Sequence, residues 1–347
     1  MPPLRIPVTR YYGSKRKLVE KIWNIFDELE LEFDSVLDIF GGSAIFSYYA
    51  KTKNKTVIYN DIFKFNYLIG KALIENNNCN LTPDDFVNLT IPKDNVNYDS
   101  IVEDNYFGIY FTEEENKIID IVVQNIQFLN EENKAFAYYV LFQACLIKRP
   151  FNLFHRKNLS LRLNHTKSNF GNKKTWEHSF EDLFYKFSQE LQLFVFNNGR
   201  NNLSVNYSAL NCPVNANLIY IDRPYFSMKG SHITYHSRYH FLEGLANYNQ
   251  IEQSLSNQKA NKEILINNNS EFEVKLNFLT DLSKLIERYQ NSVIAISYCS
   301  PGYPTIDDIA NVVRTYKQNC HIANLGDYSY ALNRSNKGKR EFLIVGY

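Results

Sequence analysis

Two short segments contain residues that could take part in chemistry, and one of them lies late in the chain. The apolar run 217–221 is followed by Asp222, Arg223, Pro224 and Tyr225. An aspartate with an ordinary pKa of about 3.9 is ionised at neutral pH and therefore accepts charge-assisted hydrogen bonds. A tyrosine beside it offers a flat face on which another ring can stack. Taken alone, the segment is more simply explained as a turn that ends a strand.

The other segment is a glycine-rich turn near the N-terminus. The apolar strand 35–40 leads to Gly41, Gly42 and Ser43, and a helix and a second strand then lead to Asp61. Glycines let the backbone approach a ligand closely, and a carboxylate about 20 residues further on can accept both hydroxyls of a ribose. A parallel-sheet turn without a ligand is the simpler explanation if this motif stands by itself.

The spacing of apolar residues predicts the elements that hold these segments. Strands are expected at 35–40, 56–59, 217–221, 292–298 and 341–346, and helices at 113–129, 134–147 and 176–196. The order predicts an α/β fold in which residues 1–70 and 200–347 form one domain and residues 71–199 form a mainly helical insert. The polar, asparagine-rich stretch 257–273 is expected to be flexible.

The insert contains a long window without acidic residues. Between Glu132 and Glu177 there is no Asp or Glu. The cations in this window are Lys134, Lys148, Arg149, Arg156, Lys157, Arg162, Lys167, Lys173 and Lys174. Such a window indicates a surface that faces phosphates, with Asn152 and His155 suited to groove contacts. A solvated basic face without a partner is the alternative.

Composition narrows the class of protein further. The formal net charge of the 347 residues is +1, and a protein that binds nucleic acid can have this value if its charges are segregated. The five cysteines show no zinc-like spacing, so we expect reduced thiols and no metal site. The N-terminal residues form no apolar leader, and no stretch reaches the roughly 18 apolar residues of a membrane span. These features predict a soluble, cytoplasmic protein.

The order of the motifs resembles the Dam-like, alpha-class family of DNA adenine-N6 methyltransferases, and the resemblance covers residues 9–346. The family's Lys-Trp-Ala-Gly-Gly-Lys appears as Arg-Tyr-Tyr-Gly-Ser-Lys at 10–15. Its Asp-Pro-Phe-x-Gly-x-Gly appears at 38–44, with Ile39 and Ala44 as departures. Its Asp-Pro-Pro-Tyr appears at 222–225, where Arg223 replaces the first proline.

This resemblance implies a Rossmann-like methyltransferase sheet that binds S-adenosylmethionine, with 71–199 as a target-recognition domain for double-stranded DNA. It also implies a restriction-modification system with a separately encoded endonuclease as a partner. The implied cofactor-binding residues are Tyr11, Tyr12, Gly13, Lys15, Asp38, Phe40, Gly42, Ser43, Asp61 and Ile62. The acid-free window, together with the resemblance over 149–162, gives as expected DNA-binding residues Arg149, Asn152, His155, Arg156, Lys157, Arg162, Lys173 and Lys174.

The same resemblance implies a catalytic role for residues 222–225. Asp222 and the backbone carbonyl of Arg223 would accept the two amino hydrogens of a flipped adenine, and Tyr225, next to Pro224, would stack on the base. Arg223 would hold its carbonyl less rigidly than proline and could pair with a DNA phosphate or with the cofactor carboxylate.

Two alternatives stay open at this point. One is a catalytically inactive homologue that still binds DNA, with Arg223 as the mark of degeneration. The other is a methyltransferase of the same fold that acts on RNA or on a protein glutamine. Sites of that kind often carry Asn at the position of Asp222, and they lack a long basic insert.

Overall fold

The structure, a computed structural model, describes residues 6–8, 10–164, 173–223, 226, 234–266, 274–327 and 339–347. The strands are β1 Ser35–Asp38, β2 Thr56–Asn60, β3 Leu203–Val205, β4 Leu218–Ile221, β5 Val293–Ser300, β6 Cys320–Asp327 and β7 Arg340–Gly346. The α-helices are α1 Val19–Glu28, α2 Ile45–Thr52, α3 Lys64–Gly70, α4 Pro83–Asn88, α5 Ile101–Tyr106, α6 Glu113–Ile126, α7 Glu131–Ile147, α8 Ser160–Leu163, α9 Lys173–Glu177, α10 Phe180–Gln192, α11 Tyr235–Ala246, α12 Phe278–Arg288 and α13 Ile306–Tyr316.

The described strands form one seven-stranded sheet in the order β3-β2-β1-β4-β5-β7-β6. Strands β1 to β5 run parallel to one another, and β7 runs antiparallel to β5 and β6. Strand β1 lies between β2 and β4, so the chain adds β2 and β3 on one side of β1 and β4 and β5 on the other. In open parallel sheets this reversal of strand order leaves a crevice at the carboxyl ends of the two central strands. The predicted α/β, Rossmann-like fold is confirmed.

Burial explains why the central strands form where they do. All four residues of β4 are buried, and so are the last three residues of β1. Strands covered by helices on both faces read as continuous apolar runs rather than as alternating ones. The core around them includes Leu37, Ile219 and Ile296, and the side chains of α12 and α13 pack against it.

The chain divides into two compact units. The first comprises the described residues within Met1–Gly70, Asn197–His232 and Asn268–Tyr347, and it contains the whole sheet. The second comprises those within Lys71–Phe196 and Ile233–Asn267, and its α-helices are α4 to α11. The boundaries between the units fall after residues 70, 196, 232 and 267. The described residues within 233–267 belong to the helical unit, although the order of the sequence motifs predicts them in the sheet-containing domain.

The stretch expected to be flexible is packed where the structure describes it. Asn261, Glu263 and Ile264 are buried within the helical unit. The backbone N–H of Ile264 donates to His240 Nδ1 at 3.1 Å, and Lys259 forms an ion pair with Glu263 at 2.8 Å. The prediction of flexibility is therefore wrong for 257–266, because a few buried side chains hold a polar stretch in place. Residues 267–273 lie outside the described part of the chain.

Candidate active site

The carboxyl ends of β1 and β4 bring two predicted acids to one edge of the sheet. The strands are parallel neighbours in which Asp38 is paired with Tyr220, and the N–H of Ile39 donates to the Tyr220 carbonyl at 3.1 Å. Asp222 follows Tyr220 by two residues and therefore leaves the sheet at the same edge as the turn after Asp38. The two motifs, which lie far apart in the sequence, meet where the strand order reverses.

The glycine-rich turn is held by the acid at the end of β2. Asp61 accepts hydrogen bonds from the backbone N–H of Gly42 at 2.9 Å and from that of Phe63 at 2.9 Å. The Tyr59 hydroxyl donates to the Gly42 carbonyl at 2.9 Å. Gly42 and Ala44 both have positive φ, 48° and 60°. Ala44 thus occupies the left-handed conformation in the place where the resembled motif has its last glycine.

Asp38 has a buried carboxylate with one free acceptor. Its Oδ2 accepts a hydrogen bond from Ser47 Oγ at 2.7 Å, while its Oδ1 has no hydrogen-bond partner among the described residues. Burial raises the pKa of Asp38 to about 7, and the negative charges of Asp222 and Asp61 add to this effect. An ammonium group placed at Oδ1 would satisfy this oxygen and favour the ionised carboxylate.

The N-terminal motif lies against both segments. A side chain at Gly42 would approach the Tyr11 ring, 3.2 Å from the added Cβ, so the ring covers the turn closely. Lys15 is buried, and its Nζ lies 2.9 Å from Asp222 Oδ1. A residue expected to bind the cofactor is therefore paired with the residue expected to accept the target amine.

Charges of both signs act on Asp222. Burial raises its pKa to about 6, the ammonium of Lys15 opposes this shift, and the carboxylate of Glu341 adds to it. Since the pKa stays below 7, Asp222 is mostly ionised at neutral pH and remains an acceptor.

Arg223 is packed inside the sheet-containing unit. Only 1% of the residue is exposed, its guanidinium carbon lies 2.9 Å from the centre of the Phe278 ring, and Nη1 donates to the Phe278 carbonyl at 3.4 Å. Burial holds the pKa of Arg223 well below its usual range. The idea that this side chain reaches a DNA phosphate is corrected, because a guanidinium enclosed in this way is not available to DNA.

The remaining predicted residues of this site differ in their surroundings. Phe40, Ser43, Ile62, Tyr12 and Gly13 are partly buried around the turn and in the N-terminal motif. Asn206 Nδ2 donates to the carbonyls of Asp61 and Ile62 at 2.7 and 2.9 Å, and so fixes the segment after β2. Pro224 and Tyr225 lie outside the described residues.

Sequence reasoning missed Glu341 at this site. It is fully buried on β7, and its Oε2 lies 3.7 Å from Lys15 Nζ. Its signal in the sequence is an acid at the start of the apolar run 341–346, which we interpreted only as a strand.

The predicted DNA-binding residues of the helical unit separate into buried and exposed ones. Arg149 is 1% exposed, and it donates to the carbonyls of Tyr110, Leu153 and Arg156. Arg162 is paired with Glu115 at 2.7 Å, and so is the neighbouring Lys148 at 2.6 Å. Both arginines are committed to internal contacts, so we remove them from the predicted DNA surface.

Four of the predicted DNA-binding residues lie in the sequence between Arg149 and Arg162 and keep some exposure. Arg156 and Lys157 are exposed, while Asn152 and His155 are partly buried. Burial lowers the pKa of His155 to about 4, so its ring is neutral at pH 7. Lys173 and Lys174 lie in α9, but their side chains are outside the described part of the structure.

Comparison with known proteins decides which family these features belong to. The model of the D12 class of N6 adenine-specific DNA methyltransferases matches residues 11–298. The chain belongs to this family. The match runs from Tyr11 to Tyr298, through the glycine-rich turn, the helical unit and Asp222, and it ends before β7. The alpha-class, Dam-like assignment is finer than this match and stays a prediction.

Two curated relatives are similar to this D12-class chain. The type II methyltransferase M2.HphI of Haemophilus parahaemolyticus is 31% identical over 231 residues, which cover 64% of this chain and 66% of the relative. The modification methylase StsI of Streptococcus sanguinis is 27% identical over 365 residues, 97% of this chain and 51% of the relative. The chain thus matches between half and two thirds of the length of these relatives. Within its described residues, this D12-class chain has no helix with the length and apolar character of a membrane span.

Proposed function

We propose that the chain transfers a methyl group from S-adenosylmethionine to N6 of an adenine flipped out of double-stranded DNA. Membership of the D12 class supports the reaction. The observation that carries the proposal is the meeting of Asp38 and Asp222 at the carboxyl edge of β1 and β4, with Lys15 bound to Asp222. This edge is where an open parallel sheet binds its ligands.

The residues around the glycine-rich turn fit the cofactor. The buried Oδ1 of Asp38 lacks a partner within the described structure and suits the α-ammonium of the methionine part. Asp61, at the end of β2, would accept the ribose hydroxyls, while Tyr11, Tyr12, Gly13, Phe40, Gly42, Ser43 and Ile62 would line the site. When bound there, S-adenosylmethionine supplies the methyl group.

The task of residues 222–225 follows from the chemistry of an exocyclic amine. The nitrogen lone pair of adenine N6 is delocalised into the ring, so the site must direct it outward and stabilise the positive charge that develops. Asp222 accepts one amino hydrogen and the Arg223 carbonyl accepts the other. Tyr225 stacks on the base and offsets part of the few kcal/mol lost on unstacking. The buried Arg223 side chain anchors the turn on Phe278 and so replaces the stiffness of a proline.

The helical unit acts as the target-recognition domain in this proposal. Its DNA-facing residues are Asn152, His155, Arg156, Lys157, Lys173 and Lys174. The exposed Arg156 and Lys157 contact phosphates, and the neutral His155 with Asn152 faces a groove. The anchoring of this segment by the buried Arg149 supports the assignment, because a fixed loop presents its cations in one geometry.

We also propose that the protein works in a restriction-modification system beside a separately encoded endonuclease. One relative carries the name modification methylase, and the other is a type II methyltransferase. Methylation of the shared recognition sequence would then protect the host DNA from cleavage.

The substrate class is tested by offering duplex DNA, RNA and protein in parallel with radioactively labelled S-adenosylmethionine. We expect label in duplex DNA alone, at adenine N6 after nucleoside digestion. Label in RNA or protein but not in DNA would contradict the proposal. DNA binding without transfer to any of the three would identify an inactive homologue.

A further inference from the structure

Glu341 is an acid in the middle of a sheet. It lies on β7 between Cys299 of β5 and Gly326 of β6, and none of it is exposed. A buried carboxylate is costly unless it is paired with opposite charge or hydrogen bonds. Its place in the strand would suit an apolar residue, so the acid calls for an explanation from its surroundings.

The surroundings of Glu341 include the Lys15 ammonium. Lys15 Nζ lies 3.7 Å from Glu341 Oε2 and 2.9 Å from Asp222 Oδ1. One buried cation is thus shared by two carboxylates from distant parts of the chain. Because attraction increases as distance falls, the closer Asp222 holds the ammonium more strongly in this arrangement.

We propose that Glu341 is a positioning residue that acts through Lys15: it draws the ammonium away from Asp222 and keeps the acceptor site negatively charged while the target amine is bound. The inference rests on the proposed methyl transfer. Glu341 lies outside the residues matched by the family model.

Two physical arguments support this role. An ammonium paired only with Asp222 would compete with the amino hydrogen for that carboxylate, and a second carboxylate gives the ammonium another partner. The pair of Lys15 and Asp222 is neutral, whereas the addition of Glu341 leaves a net negative charge. A net negative site stabilises the positive charge that develops on the amine nitrogen.

The pH dependence follows from the groups that act on Asp222. Lys15 from the N-terminal motif and Glu341 from β7 shift the pKa of Asp222, and Asp222 in turn raises the pKa values of Asp38 from β1 and Tyr220 from β4. Glu341 contributes to the raised pKa of Asp222, so its neutralisation lowers that pKa. Activity requires ionised Asp222 and is lost as the pH falls through its pKa. The acid limb of kcat therefore moves to lower pH when Glu341 loses its charge.

The test is Glu341→Gln in the full chain, with kcat measured across pH at saturating cofactor and duplex DNA. We expect kcat at its plateau to fall about tenfold, cofactor affinity to stay near that of the wild type, and the acid limb to move to lower pH. An unchanged plateau together with an unmoved acid limb would overturn the proposal.

Two further variants keep the test decisive. Leu343→Ala removes a buried side chain from the same face of β7 without changing charge, so it should lower the melting temperature and leave the acid limb in place. Glu341→Asp retains the charge, so its acid limb should stay near that of the wild type even if Glu341→Gln does not fold. A limb that moves to lower pH in the Leu343 or the Asp variant contradicts the proposal. Absence of methyl transfer by the wild type would instead refute the proposed function.

Discussion

Asp38 and Asp222 show how the position of a carboxyl group decides its task. Asp38 ends β1 and Asp222 follows the adjacent parallel strand β4, and both have raised pKa values because burial penalises the charged form. Asp222 has the Lys15 ammonium beside it, which favours ionisation, whereas one oxygen of Asp38 has no partner in the described structure. The ionised Asp222 can therefore accept a hydrogen bond from a neutral amine, and Asp38 can form an ion pair with a bound cation.

Cofactor binding should depend on pH through Asp38. Its pKa is about 7 in the free protein, and the α-ammonium of S-adenosylmethionine pairs only with the ionised carboxylate. As pH falls through 7, we expect the cofactor Kd to rise by up to about tenfold per pH unit. Asp38→Asn should bind more weakly and lose this dependence. Titration calorimetry without DNA measures the cofactor Kd and its pH dependence. An unchanged pH dependence in the variant would contradict the pairing of Asp38 with the cofactor ammonium.

At the scale of elements, helix α7 explains why the acid-free window predicted a larger phosphate-facing surface than the structure has. The window begins inside this helix, and residues 135–147 are all buried. Acids are absent there because the helix is enclosed on all sides, not because it faces phosphates. A sequence window does not separate these two causes, since both exclude Asp and Glu. The part that can face DNA narrows to the segment around Arg156 and Lys157.

Lys157 and Arg149 should therefore behave differently on substitution. Lys157→Ala should weaken DNA binding for all sequences and reduce the slope of log K against log salt by about 1, as expected for one phosphate contact. Lys186→Ala removes an exposed lysine of α10 and should leave the slope unchanged. Fluorescence anisotropy over a range of salt concentrations provides the measurement. Equal slopes for wild type and Lys157→Ala would argue against that contact.

Arg149→Ala should act on stability. The substitution removes the hydrogen bonds to three backbone carbonyls and the guanidinium that lies 4.3 Å from the centre of the Tyr110 ring. We expect the free energy of unfolding to fall by about 3 kcal/mol, as for other broken buried networks. Urea denaturation measures this loss. A stability equal to that of the wild type would show that Arg149 is not the anchor described here.

At the scale of the whole molecule, the sequence predicted the elements that carry strong patterns. Strands β1, β2, β4 and β5 and the antiparallel β7 were all predicted, because each of these largely buried strands is a nearly continuous apolar run in the sequence. β6 alternates between buried and exposed residues, and β3 has only three residues, so neither gave a clear signal. The Asp222 site was predicted by motif order, whereas the pairing of Lys15 with Asp222 and Glu341 depends on tertiary contacts between residues far apart in sequence.

The central claim is that ionised Asp222 accepts a hydrogen from the target amine beside the cofactor site. Single-turnover methyl transfer to duplex DNA by Asp222→Asn, with S-adenosylmethionine affinity measured in the same preparation, tests it most directly. We predict that the rate falls by at least about a hundredfold while cofactor affinity stays close to that of the wild type. Transfer at the wild-type rate by the variant would contradict the claim.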